Sequence, residues 1–265
     1  MIMTVFAANT VSGWEIVTDR GQNKAENKAY YSTVADTLKK NDGVLDKRKY
    51  TEYSKTIIAL TAAGYDPANV KGYNLLNRLT EKEMVVKQGI NGPIWALIAL
   101  DSGSYPSDLR DYYISYILER ELSAGGWNME GKGTADPDVT AMALQALSGY
   151  QDRANVKAAV ERAVSELSRL QDSDGGYSSW GTPNAESASQ VVIALTCLDI
   201  DINDKRFVKN GKTIINNLET YRLSDGTYMH SKANGTSDSL ATEQAGMAFA
   251  AVARQKEGKK LYKFR

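Results

Sequence analysis

"QDSDGGYSSWGTPNAESASQVVIAL", residues 171–195, joins a Gly-aromatic loop, Asp174-Gly175-Gly176-Tyr177, to a small-residue helix starting near Glu186. Its apolar end has counterparts along the chain: "KTIIAL" ending at Leu60, "ALIAL" at Leu100, "ALQAL" at Leu147 and "AFAAV" at Val252. Successive copies are 40, 47, 48 and 57 residues apart. Most follow a glycine loop: Asp42-Gly43, Gly125-Gly126-Trp127, Asp174-Gly175-Gly176-Tyr177 and Asp225-Gly226-Thr227-Tyr228. The copy before Leu100 is degenerate, with Gln88-Gly89 and Asn91-Gly92-Pro93. A period of this size marks a repeat architecture.

Each unit holds a second helical pattern. Residues 108–122, 154–170 and 204–221 place apolar residues three and four apart, with charge on the remaining face. The "IAL" segments are instead rich in Ala, Ser, Thr and Leu on nearly all sides, as helices packed all round must be. The unit is therefore an amphipathic outer helix, a glycine turn and a buried inner helix. Glycine suits the turn because a reversing chain needs positive φ, which it adopts without a Cβ clash. Helical hairpins of this kind close into a ring with the inner helices around an axis. The expected fold is all-α, an α/α-toroid of about five or six hairpins in one domain over residues 26–256. Residues 1–25 then form a lead-in and 257–265 a basic tail or the start of a linker.

Composition narrows the partners. Lys+Arg and Asp+Glu both number 32, so the chain is formally neutral and carries no basic block for nucleic acid or an anionic membrane. No apolar run approaches the roughly 18 residues of a membrane span. Cys197 is the single cysteine, which excludes an internal disulfide and fits a buried small hydrophobe. "VFAA" near the start is similar to the cleavage end of a signal peptide, pointing to an extracellular or cell-surface protein with further flanking domains; a cytoplasmic location is the alternative.

"QDSDGGY" resembles the Gln…Gly-aromatic repeat of squalene and hopene cyclases and of protein prenyltransferase β subunits. "DPDVTAMALQAL" (136–147) is similar to the Asp-x-Asp-Asp-Thr-Ala segment of class II terpene cyclases. Complement-type thioester domains and cobalamin carriers share the α/α-toroid that this resemblance implies. In the cyclases the middle aspartate protonates the isoprenoid, and it maps onto Asp138; the first maps onto Asp136, and the last is replaced by Val139. The cyclases generally use two toroids, and this chain has residues for one. The prenyltransferase zinc trio lacks its Cys, because Asp138 stands in that place, and the thioester Cys-Gly-Glu-Gln is missing. No metal site and no cofactor are expected, since a single His, His230, leaves zinc to carboxylates.

One regularity needs no family. Asp138, Glu186 and Glu243 each stand nine residues before the last apolar residue of a repeat, and Glu52 stands eight before Leu60. Parallel inner helices would gather these acids on one rim, beside Trp127, Tyr177, Trp180 and Tyr228 from the glycine loops and His230 from a polar loop. The rim would then bind a small molecule, a glycan or a protein. The competing reading makes each acid a helix-terminal charge or cap and each ring a lid over its own corner. Asp138 stands out, because a second carboxylate at Asp136 raises the pKa that a proton donor needs. Every named activity lacks a part, so the leading expectation is a non-catalytic binding module of a bacterial secreted or surface protein. The alternatives are a cyclase-like enzyme using Asp138 and Asp136, and a cobalamin- or glycan-type carrier.

Overall fold

The computed structural model describes residues 13–265, so the "VFAA" segment lies outside the described residues. The described chain is mostly helical. Its packing divides it into two compact units, residues 13–116 with Tyr262–Arg265, and Ile117–Leu261, where the sequence pattern suggested one continuous domain.

The first unit contains α1 (Gly13–Asp19), α2 (Lys24–Lys40), α3 (Thr51–Ala62), the short α4 (Lys82–Val85), α5 (Asn91–Ser102) and most of α6 (Arg110–Leu118). Helix α2 is one-sided, burying Tyr30, Val34 and Leu38, and Asn23 caps it by accepting from the Glu26 amide. Helices α3 and α5 are buried along nearly their whole length and pack on each other, as helices with small or apolar residues on nearly all sides do. Both ends of the described residues depart from expectation. Helix α1 is not a lead-in: Trp14, Ile16 and Val17 are buried, and it packs on α3. Nor do the last residues trail. Tyr262 is buried with its ring centroid 6.2 Å from Trp14 and 6.1 Å from Trp95, and the Phe264 amide donates to Ser102 O at 2.9 Å. Aromatic burial outweighs the polar composition that marked this stretch as a tail.

The second unit is built on α7 (Pro137–Leu147), α8 (Ala154–Leu170), α9 (Ala185–Cys197), α10 (Ile214–Glu219) and α11 (Ser239–Lys256), with two small hairpins. Helix α9 packs between α7 and α11 and is buried at every residue. Ala146 and Ala194, on α7 and α9, are almost entirely buried. Burial pushes the Cys197 thiol up to about 12, which suits an inert core residue. Helix α8 is amphipathic over 154–170, as its pattern predicts.

The expected outer helix over 204–221 is broken. A 3-10 turn at Lys205–Phe207 leads into strands β3 (Val208–Lys209) and β4 (Lys212–Thr213), and only α10 is helical. The cause is Asn210-Gly211, which takes φ of 50° and 76° and makes the two-residue hairpin turn for which Asn-Gly is the strongest short signal. A matching hairpin pairs β1 (Ser178–Ser179) with β2 (Thr182–Pro183) across Trp180-Gly181.

Three corners in this unit share one set of bonds. The glycines that open them, Gly125, Gly175 and Gly226, have φ of 92°, 87° and 88°. At Gly175 a side chain would also collide with Thr213 O, because an added Cβ would lie 2.8 Å away. The aromatic that follows accepts from the residue capping the next inner helix: Asp136 N to Trp127 O, Asn184 N to Tyr177 O and Asp238 N to Tyr228 O. Its polar tip reaches back to the preceding helical segment. Trp127 Nε1 donates to Ile117 O at 2.8 Å, Tyr177 Oη to Leu167 O at 3.0 Å and Tyr228 Oη to Glu219 at 3.5 Å. Each corner thus ties an incoming segment to the inner helix that it introduces.

Candidate functional site

The structure separates the aromatic residues that the sequence grouped. Trp127 and Tyr177 are wholly buried and Tyr228 nearly so, with their hydrogen-bonding atoms committed to the corners. An open rim made of these three rings is not what the structure contains; they are the lids of the competing reading. Trp180 is different. It is 82% exposed at the tip of the β1–β2 turn.

The acids also divide. Helix α7 is capped by Asp136, whose Oδ1 accepts from the Asp138 and Val139 amides at 2.9 and 3.0 Å. Helix α9 is capped by Asn184 from the Ser187 amide and α11 by Asp238 from the Ala241 amide. Capping is therefore accomplished two residues before Asp138 and Glu186, which occupy equivalent positions in their helices and are free for other contacts. Glu52 holds the same position in α3 of the first unit, where its charge is felt by the Tyr30 hydroxyl. Glu243 is out of register, since the equivalent residue of α11 is Leu240. Counting back from the apolar end misplaced it because α11 is longer, at 18 residues against 13 for α9.

Asp138, Glu186 and His230 form one electrostatic cluster. His230 Nδ1 lies 2.9 and 3.0 Å from the two carboxylate oxygens of Glu186, and the Ala185 amide donates to His230 O, which fixes the loop to the start of α9. Burial raises the Glu186 carboxyl, and His230 draws it part of the way back. Asp138 keeps some exposed surface as a residue, but its Oδ1 is buried without a hydrogen-bond partner. Burial first, and then the Asp136 charge, push its carboxyl up to about 7; Glu186 adds to the rise, while Ser187 and His230 oppose it. The Ser187 hydroxyl is itself buried and without a partner, so it influences Asp138 without completing a hydrogen bond. At neutral pH this carboxyl is poised between acid and carboxylate, as a proton donor or a buried polar anchor requires.

A cleft of about 430 Å3 opens beside the start of α7, within the range of small-ligand sites. Val139, Pro137 and Leu170 contribute apolar surface, while Trp180, Glu130 and Lys132 come from loops. Asp136 joins this cleft to the acid cluster: it lines the cleft, and its Oδ2 accepts from Ser179 Oγ of β1 at 2.6 Å. Met129, 44% exposed, is the second large exposed apolar residue among those described, and it too lines the cleft. The loop carrying it is shaped by Asn128, whose side chain bonds to Lys132 O, Thr134 O and the amides of Glu130 and Gly131.

Met129, Glu130 and Lys132 escaped the sequence reading, as did a glutamine chain running from buried Gln145 and Gln190 to half-buried Gln244 across α7, α9 and α11, with contacts of 2.8 and 3.0 Å. The glutamines of α7, α9 and α11 were a visible signal. The loop residues were not, since nothing in "NMEGKGT" announces a wall. Among the described residues no cluster of His, Cys, Asp and Glu is arranged to hold a metal ion, and no helix is long and apolar enough to cross a membrane. Neither protein-family models nor curated proteins give a match to this chain.

Proposed function

We propose that the chain is a ligand-binding helical module, an α/α-toroid carried within a longer bacterial secreted or surface protein, and that its ligand sits in the Trp180 cleft. The carrying observation is Trp180 itself: a large aromatic face left in solvent at the mouth of a ligand-sized cleft. Burying such a ring is worth several kcal/mol at most, about 25 cal/mol per Å2 of apolar area, so its exposure leaves that gain to a bound partner. The three similar loop aromatics serve their corners, which isolates Trp180 as the one with no such task. A thermal-shift and fluorescence screen of small molecules against the full chain tests this reading. Binding that disappears on Trp180→Ala, at unchanged melting temperature, supports it; ligands that bind equally well without Trp180 refute it.

A second reading is favoured by Asp138, an acid raised to about 7 beside Asp136 and Glu186. A carboxylic acid protonated near neutrality can protonate an alkene, the step that the resemblance to isoprenoid cyclases implies. Incubation with linear isoprenoids and their diphosphates should then give cyclic products that Asp138→Asn abolishes. Absence of turnover across such a panel removes this reading and leaves the first intact.

A further inference from the structure

The two hairpins of the second unit are an internal control. Both have two-residue turns with both central residues at positive φ, 52° and 76° for Trp180-Gly181 and 50° and 76° for Asn210-Gly211. In one the first turn residue is Asn, the side chain best suited to left-handed backbone, and its Nδ2 also donates to Ser173 O at 2.9 Å. In the other it is a bulky aromatic, among the residues least suited to that region. Trp180 makes no hydrogen bond and no ring contact among the described residues, and it is 82% exposed. Turn geometry, packing and solubility all argue against a tryptophan here, so its presence points to contact with something outside the chain.

The surroundings narrow what that is. Glu130 and Lys132, of opposite sign and both exposed, line the same cleft, and neither side chain has an ion-pair or hydrogen-bond partner in the described chain. Asp136 also lines the cleft, but its carboxylate is already engaged by the α7 amides and by Ser179, so the two unengaged charges are of opposite sign and favour neither an anion nor a cation, whereas a neutral ring bearing hydroxyls uses each of them. Glu130 accepts from a hydroxyl and Lys132 donates to one. The aliphatic C–H face of such a ring is the natural partner for a flat exposed indole. We propose that the cleft is a carbohydrate site, in which one pyranose ring of a neutral glycan lies on Trp180 while Glu130 and Lys132 hydrogen-bond its hydroxyls. This deepens, and rests on, the reading of the cleft as the ligand site. At about 430 Å3 the cleft takes a short oligosaccharide rather than a flat polymer surface.

The test uses the full chain and tryptophan fluorescence, because Trp14, Trp95 and Trp127 are buried and only Trp180 is open to a soluble quencher. Neutral gluco-, manno-, galacto- and chito-oligosaccharides are titrated alongside a uronic-acid oligomer, a mixed-charge peptide and a linear isoprenol. The expected result is that at least one neutral oligosaccharide shields Trp180 from acrylamide and shifts its emission. By isothermal titration calorimetry, which needs no reporter at residue 180, Trp180→Asn, which copies the turn at Asn210-Gly211, should weaken binding by about tenfold or more without lowering the melting temperature. Glu130→Gln and Lys132→Met should each weaken it by a smaller factor. Binding that survives Trp180→Asn, or that needs the acidic oligomer, overturns the proposal. Binding of the peptide or isoprenol alone, lost in Trp180→Asn, overturns the glycan and keeps the cleft as a ligand site. Failure of every probe to reach Trp180 removes both.

Discussion

Replacing Asp138 by Asn converts a poised acid into a neutral group of the same shape, and the consequence is a change in how stability depends on pH. The Asp138 carboxyl titrates near 7 in the folded chain against an ordinary value of 3.8. The folded state therefore holds a proton over a window in which the unfolded chain has released it. For an acid raised in this way stability is greatest below about pH 4, falls as pH rises through the window and levels off above about 7. At about 1.4 kcal/mol per unit, ionising Asp138 costs the folded state about 4 kcal/mol in all, of which about 3 kcal/mol is lost between pH 5 and pH 8. The Asn variant has no such proton. Glu186 and Asp136 remain in both proteins, so the difference between the two isolates Asp138 apart from its coupling to these neighbours. Urea unfolding at a series of pH values, followed by the fluorescence of buried Trp127 in the same unit, measures it. The Asn variant should gain on the wild type by about 3 kcal/mol between pH 5 and pH 8. Parallel pH profiles would mean that water reaches the carboxyl and that its burial is ineffective.

Other substitutions probe the frame and the cluster. Trp127→Ala empties a fully buried site and removes the bond to Ile117 O, so chemical denaturation should register a loss of about 3–5 kcal/mol, in contrast to the tolerated change at Trp180. Ala194→Leu overpacks α9, which is enclosed by α7 and α11, and should cost about 1–3 kcal/mol by the same measurement. His230→Ala removes the group that draws the Glu186 carboxyl back down, leaving it higher still. The variant should fall behind the wild type as pH rises through the Glu186 titration, and a deficit independent of pH would instead indicate lost packing at the loop.

Helix periodicity and the glycine corners were legible because they are local. The 154–170 pattern and the segments rich in Ala, Ser, Thr and Leu each need only their own residues to be recognised, and α8 and α9 follow them. Asn210-Gly211 was equally local, but a strong apolar period across 204–221 hid it, and turn chemistry prevailed over periodicity. The buried ends show the opposite limit. Tyr262 reads as part of a charged tail, and its packing with Trp14 and Trp95 joins residues more than 150 positions apart, which no window along the sequence can register. Asp138 was recognisable as a distinctive acid from its neighbour Asp136, yet burial proved the larger influence on its proton. The role of the rings followed from neither composition nor spacing. Trp127 and Trp180 are the same residue in similar Gly-rich loops, and only the fold distinguishes the lid from the exposed face.

The bond from each capping residue to the preceding aromatic fastens the base of a loop: 128–135, 178–183 and 229–237 begin and end at fixed points whatever lies between. Lengthening a loop held at its base adds only slowly to the entropy of closure, about 0.6 kcal/mol for each doubling. Helices α7, α9 and α11 with their corners therefore form a frame from which these loops project, and two of them, 128–135 and 178–183, contribute walls of the cleft. If the cleft is the ligand site we propose, recognition can drift in such a design while the core stays unchanged. A new specificity requires rewriting six to nine residues between two anchors, and grafting one of these loops between chains that share the frame should transfer binding without refolding the rest.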